Sequence, residues 1–224
     1  MRVKIYQINS DRDTDRQKFM SLDEGETVPS SIYDEVFNAE IDETDLEAIY
    51  SRFNTTGHPL HRGHSLSVSD VVVMDGKAHY CQSVGFKEIP FDESQTQKPD
   101  NLMRVVYVEP NKPAYEAEVT GTLEGEQRAV QGLIEAVYLD NDDDVLLICN
   151  EEAKLIGMEG NRHVNINDEI IAGPFFVCGS SGSNFRGLTD EEVTKYMDRF
   201  KEPEQISQEE VEGSMGFTII TGNY

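Results

Sequence analysis

The sequence predicts an α+β protein of two small domains, each a mainly antiparallel sheet with a few helices packed on one side. The chain opens twice in a similar way, with Met1-Arg2-Val3-Lys4-Ile5-Tyr6 and later with Met103-Arg104-Val105-Val106-Tyr107-Val108. Between them, residues 92–101 are polar and have no apolar periodicity, which is typical of a linker. We therefore expect a first domain at 1–91, a linker at 92–102, a second domain at 103–202, and a tail or added edge strand at 203–224.

In the first domain, the pattern predicts a strand at 3–8 and short helices at 14–22 and 31–39. A better helix begins at Thr44-Asp45-Leu46-Glu47, a capping box followed by apolar residues at helical spacing. Alternating apolar residues from Leu66 to Met74 then meet Asp75-Gly76, a strong hairpin signal, and residues 78–84 return as the partner strand.

The second domain reads mostly as strand. Strands are expected at 105–108, 114–119, 134–139, 145–149 and 170–178, with a short helix at 125–133. A closing helix is well marked, because Thr189 and Glu192 form a capping box and Val193, Tyr196, Met197 and Phe200 share one apolar face. After Pro203 the chain is polar until Phe217-Thr218-Ile219-Ile220, which predicts an edge strand or a tail.

Charge dominates the composition. Lys and Arg number 19 against 43 Asp and Glu, which gives a formal net charge of −24 and a pI of about 4.4. Such a surface repels nucleic acid and anionic membranes and attracts basic partners, so we expect no direct nucleic-acid or membrane binding. Twenty-four charges equal roughly 40 Å of DNA duplex. Mimicry of nucleic acid requires most of the excess on one face; otherwise the charge serves solubility.

Hydropathy and cysteine content bear on the compartment. Mean hydropathy is −0.51, and no apolar run approaches the ~20 residues that span a bilayer. The first residues read as a strand and lack the apolar core of a signal peptide. Cys81, Cys149 and Cys178 each lie in an apolar stretch, which favours buried reduced thiols. We expect a cytoplasmic protein.

The densest negative charge lies at the predicted hairpin between 139 and 145. We predict a partner-binding acidic patch there, formed by the tip and the strand that leaves it: Asp140, Asp142, Asp143, Asp144, Glu151 and Glu152. The same spacing matches four ligand positions of a calcium loop. Because Val145 takes the position that needs glycine, we expect no calcium site.

A second candidate site comprises His58, His61, His64 and Asp70. Three imidazoles are suitable zinc ligands, but Pro59 and Gly63 interrupt the stretch, so a turn with exposed or capping histidines is expected instead of a metal site. Asp70 lies among serines and valines. We expect it to face the polar side of the strand with the neighbouring serines or to cap a bulge; the alternative is a buried carboxylate with a shifted pKa.

Two stretches resemble known families. Residues 49–86, with Arg62-Gly63-His64-Ser65-Leu66-Ser67-Val68-Ser69-Asp70-Val71-Val72 and Tyr80-Cys81-Gln82-Ser83-Val84-Gly85-Phe86, resemble the YodL-like domain of Firmicutes. Residues 103–200, with Cys149-Asn150-Glu151-Glu152 and Ile171-Ala172-Gly173-Pro174-Phe175-Phe176, resemble a small uncharacterised domain found beside it. The resemblance implies a bacterial host and a place in conjugative elements and phages, often beside antirestriction-type genes. It brings no catalytic residues.

The leading functional hypothesis is a non-enzymatic, acidic accessory or anti-defence protein that binds a basic surface. In this hypothesis, that surface is the nucleic-acid channel of a host defence nuclease, such as a restriction or CRISPR effector. No serine elbow, HExxH or paired catalytic motif is found, and we expect neither cofactor nor metal. The alternatives are a ligand-binding module or small enzyme at the histidine-rich turn, and a structural adaptor in conjugation.

Overall fold

The computed structural model describes residues 1–139, 142–164, 168–182 and 184–215. The chain divides into two compact units, residues 1–102 and residues 103–224. Both are built on antiparallel sheets with a few helices, so the predicted α+β class is confirmed.

The first unit is a five-stranded antiparallel sheet with strand order β2-β1-β3-β4-β5. Its elements are β1 (Arg2–Ile8), β2 (Tyr33–Glu40), α1 (Leu46–Thr55), β3 (Val71–Met74), β4 (Lys77–Cys81) and β5 (Phe86–Ile89). Short 3-10 turns occupy Ser30–Ile32 and Glu93–Gln95.

Both faces of this sheet are covered. On one face, Tyr6, Tyr33, Val71 and Tyr80 belong to a buried cluster. Side chains alternate along a strand, so Ile5 and its partner Phe37 point the other way. There α1 packs, with the rings of Phe37 and Phe53 at 4.9 Å.

Two predicted helices of the first unit are wrong. Residues 14–22 form a chain of turns, in which the Asp13 carboxylate accepts hydrogen bonds from the backbone amides of Gln17 and Lys18. Residues 33–40 form β2, because pairing with β1 buries alternate residues, including Glu35. A buried glutamate interrupts the apolar alternation that marks a strand in sequence.

The expected linker at 92–102 is part of the first unit. Gln97 bridges β2, accepting a hydrogen bond from the Glu35 amide at 2.8 Å and donating one to the Tyr33 carbonyl at 3.0 Å. The Glu93 carboxylate accepts hydrogen bonds from Lys4 and Tyr6 of β1. The polar composition of residues 92–102 correctly predicts that most of them are exposed, but it does not predict these hydrogen bonds to β1 and β2.

The second unit contains a six-stranded sheet and a two-stranded hairpin. Its strands are β6 (Leu102–Val108), β7 (Tyr115–Thr120), β8 (Ile134–Leu139), β9 (Asp142–Asn150), β10 (Gly160–Val164), β11 (Glu169–Ala172), β12 (Phe175–Ser181) and β13 (Asn184–Arg186). Its helices are α2 (Leu123–Val130), α3 (Asp190–Arg199) and α4 (Gln208–Ser214). The large sheet has the order β7-β6-β12-β9-β8, with β13 paired to β12, and β10 pairs with β11.

Helices cover both faces of the large sheet. Alternate residues such as Val106, Leu147 and Val177 pack with Val193 and Tyr196 of α3. Residues between them point to the opposite face, where the Tyr107 hydroxyl donates to the Ala129 carbonyl of α2 at 2.6 Å. The capping box at Thr189 and Glu192 is present as the sequence predicts.

Two other expectations are corrected. The apolar run at 170–178 is two strands, because Gly173 has a φ of 70° and turns the chain between β11 and β12. The expected tail from 203 packs on the second unit as far as residue 215, through Val211 of α4 and Ile206 beside Ala172. The predicted strand at 217–220 lies outside the described residues.

Candidate functional site

The predicted acidic patch is divided by strand β9. Asp142 and Asp143 begin that strand and Asp144 is exposed near its start, whereas Glu151 and Glu152 follow its last residue. From Asp144 to Asn150 the extended chain covers roughly 20 Å at about 3.3 Å per residue. The exposed residue Asp144 and the pair Glu151 and Glu152 therefore lie at opposite ends of β9. Asp140 lies outside the described residues.

Glu151 instead belongs to a cleft of about 270 Å³. Three exposed glutamates line it: Glu135 on β8, Glu151 after β9, and Glu169 on β11. One cation, Lys154, joins them, and the apolar lining includes Ala153, Leu155, Ile170, Ile171, Ala172 and Met215. The cleft is therefore lined by both apolar and polar groups, and its charged groups are predominantly negative.

Strand register explains why these glutamates converge. Glu135 lies directly opposite Cys149 in the β8–β9 pair. Cys149 is followed along the chain by Asn150 and then by Glu151, so Glu135 and Glu151 come close together. The β10–β11 hairpin supplies Glu169. No motif in the sequence indicates this meeting, because the three residues come from separate strands and turns.

Asn150 fixes the end of β9 where the cleft begins. Its buried side chain donates hydrogen bonds to the carbonyls of Val130 and Gln131, which end helix α2. Its side-chain oxygen accepts from the Glu152 amide at 2.8 Å. Asn150 thus ties the helix end to the turn that carries Glu151.

Cys149 is not set up for nucleophilic chemistry. Burial raises the pKa of its thiol to about 12, with the neighbouring charges of Glu135 and Glu169 acting in the same direction. A thiol is reactive as the thiolate, which is scarce at neutral pH under these conditions. The cleft is therefore better suited to binding than to covalent catalysis.

The three histidines do not form one site. His58 is buried, its Nδ1 accepts a hydrogen bond from the Leu60 amide, and its ring packs on Phe37 at 4.9 Å. His61 packs on Phe53 at 5.0 Å. These two rings extend the aromatic core under α1, so their main role is packing.

His64 instead joins Asp70 in a network centred on Gln7. The Gln7 amide nitrogen donates to Asp70 Oδ2 at 2.9 Å and to the His64 carbonyl at 2.8 Å. Its oxygen accepts from the His64 amide at 3.0 Å. His64 Nδ1 lies 3.9 Å from Asp70 Oδ2. A Cβ on Gly63 would overlap Gln7 Oε1, so this close approach requires glycine.

Asp70 is buried, so the expectation that it faces the polar side of the strand is wrong and the alternative of a buried carboxylate is confirmed. Desolvation raises the pKa of its carboxyl to about 7, although hydrogen bonds from Ser67 and Gln7 and the charge of Lys18 act to lower it. Register accounts for the contact, since Tyr6 pairs with Val71 and therefore brings Gln7 opposite Asp70. Near neutrality this group can hold or release a proton.

A long loop after β1 packs on this centre. Ser69 has a φ of 81°, which is unusual for a residue with a side chain, and its Oγ accepts from the Phe19 amide at 2.9 Å. The Tyr80 hydroxyl donates to the Met20 carbonyl, and the Tyr33 hydroxyl donates to the Ser69 carbonyl. These bonds hold the loop against the strained residue.

Both halves of the chain match known families. Residues 2–91 match the YodL-like domain, and residues 103–201 match a domain of unknown function, DUF3846. The chain is a YodL-like domain followed by a DUF3846 domain. No curated protein and no solved structure matches it.

In the YodL-like domain, the stretch from Arg62 to Val72 that carries the resemblance surrounds Gln7. In the DUF3846 domain, residues from both quoted stretches line the cleft, among them Cys149, Asn150, Glu151, Ile171 and Ala172. The residues that suggest the families are thus the residues that build the two centres.

A second buried charge in the YodL-like domain has no sequence signal. Glu35 of β2 is 2% exposed, and its carboxylate lies 3.3 Å from Lys98 Nζ and 3.7 Å from an Arg62 guanidinium nitrogen. The Tyr6 hydroxyl oxygen, whose proton is donated to Glu93, lies 3.4 Å from the Glu35 carboxylate. This cluster joins β1, β2 and the 92–102 segment, which is a structural role.

Within the described part of the chain, no three His, Cys, Asp or Glu side chains form a group that could hold a metal ion. No helix described there is long and apolar enough to cross a membrane.

Proposed function

We propose that this chain is a non-enzymatic, acidic accessory protein whose DUF3846 domain binds a basic surface of a partner protein. The finer proposal is an anti-defence role in a mobile genetic element. The partner surface is then the nucleic-acid-binding channel of a host defence nuclease, of the restriction or CRISPR type, occupied by a mimic of nucleic acid.

The balance of exposed charge in residues 103–224 supports this proposal. Of the 24 Asp and Glu residues there, 15 are exposed among those described, whereas two of the nine Lys and Arg residues are exposed. The exposed cations are Lys195 and Lys201. In residues 1–102 the corresponding numbers are 13 of 19 acidic and four of 10 basic residues.

Such a surface acts through its summed field. An excess of one sign raises the rate of encounter with oppositely charged partners and disfavours binding to nucleic acid itself. Individual exposed ion pairs contribute roughly 0–1 kcal/mol, so affinity accumulates over many contacts and falls as salt screens them. The family resemblance supports the mobile-element part of the proposal, by analogy only.

The test begins with capture from lysate of a host bacterium at low and high salt, followed by titration of the purified partner. The test variant neutralises the predicted patch: Asp140→Asn, Asp142→Asn, Asp143→Asn, Asp144→Asn, Glu151→Gln and Glu152→Gln. A matched control neutralises six exposed carboxylates of the first unit: Asp11→Asn, Asp15→Asn, Asp23→Asn, Glu24→Gln, Glu40→Gln and Asp100→Asn.

We expect the test variant to bind more weakly at low salt, with a smaller salt dependence, and the control to bind nearly as the unmodified chain does. Duplex DNA or guide RNA should compete with the chain for the partner. Equal low-salt affinity of the test variant and the unmodified chain would show that the acidic patch serves solubility alone.

The alternative, a ligand-binding or enzymatic role at His64 and Asp70, is favoured by one observation: a buried carboxyl whose pKa is about 7 lies 3.9 Å from an exposed imidazole. His58 and His61 are occupied by aromatic packing. Under this alternative, Asp70→Asn abolishes the function and the six-fold acidic variant retains it.

A further inference from the structure

Strand β8 is an edge of the large sheet of the second unit. Among the described residues it pairs with β9 alone. An edge strand presents backbone N–H and C=O groups along its outer side, and proteins usually protect such edges with charge or proline. From residue 134 to 139 the sequence is Ile-Glu-Ala-Val-Tyr-Leu, with one charge and no proline.

Exposed apolar side chains accompany this edge. Tyr138 on β8 is 59% exposed, and Leu133, immediately before the strand, is 50% exposed. Leu155, which lines the cleft, is 69% exposed, and its neighbour Ile156 is 59% exposed. Apolar exposure beside an edge strand is typical of an interaction surface.

The cleft adjoins the same strand through Glu135. Its lining combines apolar and polar groups, and its charged groups are three glutamates and one lysine. A volume of about 270 Å³ is below the usual range for a small-molecule pocket of about 300–1,000 Å³. Lys and Arg side chains have apolar stems and cationic ends, which suit a cleft whose lining combines apolar side chains with carboxylates.

We propose that an extended basic peptide segment of the partner adds to the outer edge of β8 and places a Lys or Arg side chain in the cleft. This rests on the proposed function, since it gives the basic partner a position and a backbone conformation. Backbone hydrogen bonds to β8 provide affinity, and the cleft selects a cationic side chain at one position, as in other strand-addition complexes.

Charge complementarity favours this occupant over a second copy of the chain. Pairing two β8 edges would bring together two units that each carry 24 acidic and nine basic residues. Like charges opposed across an interface disfavour association. A basic segment meets Glu135, Glu151 and Glu169 with opposite sign.

The probe is a fluorescein-labelled peptide, Lys-Val-Arg-Val-Lys-Val, titrated against the full chain by fluorescence anisotropy at low salt. Two further peptides carry backbone N-methyl groups at odd or at even positions. Their side chains and charge are unchanged, but each methylated peptide loses the N–H donors along one edge of its strand. We expect one of the two to bind roughly tenfold more weakly, because it loses two or three hydrogen bonds.

The chain is varied in parallel. Glu135→Gln with Glu169→Gln should weaken peptide binding by roughly three- to tenfold at low salt. The control pair, Glu191→Gln with Glu202→Gln, removes the same charge from exposed positions outside the cleft and should change binding less than twofold. Hydrogen exchange of the amides at 134–139 should slow when the unmethylated peptide binds.

Several outcomes would overturn the proposal. Equal binding of all three peptides would leave charge attraction standing, and with it the proposed function, but exclude strand addition. Concentration-dependent dimerisation that protects 134–139 would assign the edge to a second copy. Peptide binding that appears only after residues 216–224 are deleted would assign the surface to that segment.

Discussion

The two units treat charge in opposite ways. The first unit buries carboxylates, with Glu35 and Asp70 at 2% and 1% exposure, and surrounds them with donors from several strands and loops. In the second unit the most deeply buried charge is a cation, Arg162, at 1% exposure. The formal charge is −9 for residues 1–102 and −15 for residues 103–224.

This difference distinguishes charges that stabilise the fold from charges that remain exposed to a partner. In the first unit, carboxylates such as Glu35 and Glu93 connect separate elements, and neighbouring cations largely balance their charge. In the second, Arg162 is enclosed by carbonyl groups, so its burial takes one cation away from the surface. The net charge of the chain alone therefore says little about function. The unit on which the excess negative charge is exposed is more informative.

The largest effect is expected from Arg162→Met. The Arg162 guanidinium donates to the carbonyls of Lys112 and Phe200 and to Asn161, joining a turn, the end of α3 and β10. Loss of these bonds leaves buried acceptors unsatisfied, so the second unit should lose about 3–5 kcal/mol of stability. Urea denaturation followed by far-UV circular dichroism measures it. A loss below 1 kcal/mol would contradict the view that this cation is structural.

The next effect concerns Asp70 and pH. Its folded pKa, about 7, lies above the unfolded value of 3.8. The folded state therefore holds the proton more tightly, and the first unit should lose stability as pH rises from about 4 to 7. The loss should reach about 2–4 kcal/mol. Asp70→Asn should remove this slope and be the more stable form at pH 8.

Chemical denaturation of the Asp70→Asn variant at pH 5, 6, 7 and 8 checks this, with the second unit as the internal control. If the stability of the unmodified first unit does not change with pH over this range, the Asp70 carboxyl is ionised in the folded state despite its burial. The stabilisation of the Asp70 carboxylate by Gln7, Ser67 and Lys18 would then exceed the cost of its desolvation.

A smaller effect is expected from Gly63→Ala. The new Cβ would displace Gln7 from its hydrogen bonds with His64 and Asp70, at a cost of about 1–3 kcal/mol confined to the first unit. Gly213→Ala is the control, since a Cβ there meets nothing within 4 Å. Thermal unfolding of both variants should show the difference. Equal melting temperatures would mean that Gln7 can turn aside freely.

The smallest effect is expected from Thr189→Ala. Thr189 Oγ1 accepts from the Glu192 amide at 3.3 Å and caps α3. Loss of an N-cap costs about 1 kcal/mol, so the second unit alone should melt slightly earlier. A change in the first unit as well would show that the two units do not unfold independently.

Local signals predicted the parts of the fold that local chemistry decides. The helix beginning after Asp45, the hairpin at Asp75-Gly76 and the closing helix capped by Thr189 all appear as expected. The first of these is capped by Asp45 and not by Thr44. Helix caps and hairpin turns depend on residues within four positions, which a sequence displays directly.

Elements decided by distant partners could not be predicted in this way. Residues 31–39 have no clean alternation because Glu35 is buried by Lys98, Arg62 and Tyr6. The cleft is a similar case. Glu135 and Glu169 are 34 positions apart, and they meet because the β10–β11 hairpin packs beside β9, the partner of β8.

The three buried thiols make the unfolding of each unit measurable through the rate of their alkylation. Cys81 belongs to the first unit, and Cys149 and Cys178 to the second, and all three are at most 3% exposed. Burial raises the pKa of all three, so none alkylates rapidly while its unit is folded. Mass spectrometry after pulses of iodoacetamide would therefore time the opening of each unit separately, without a label or a substitution. Slower modification of Cys149 than of Cys178 in the presence of the basic peptide would further locate that ligand at the cleft.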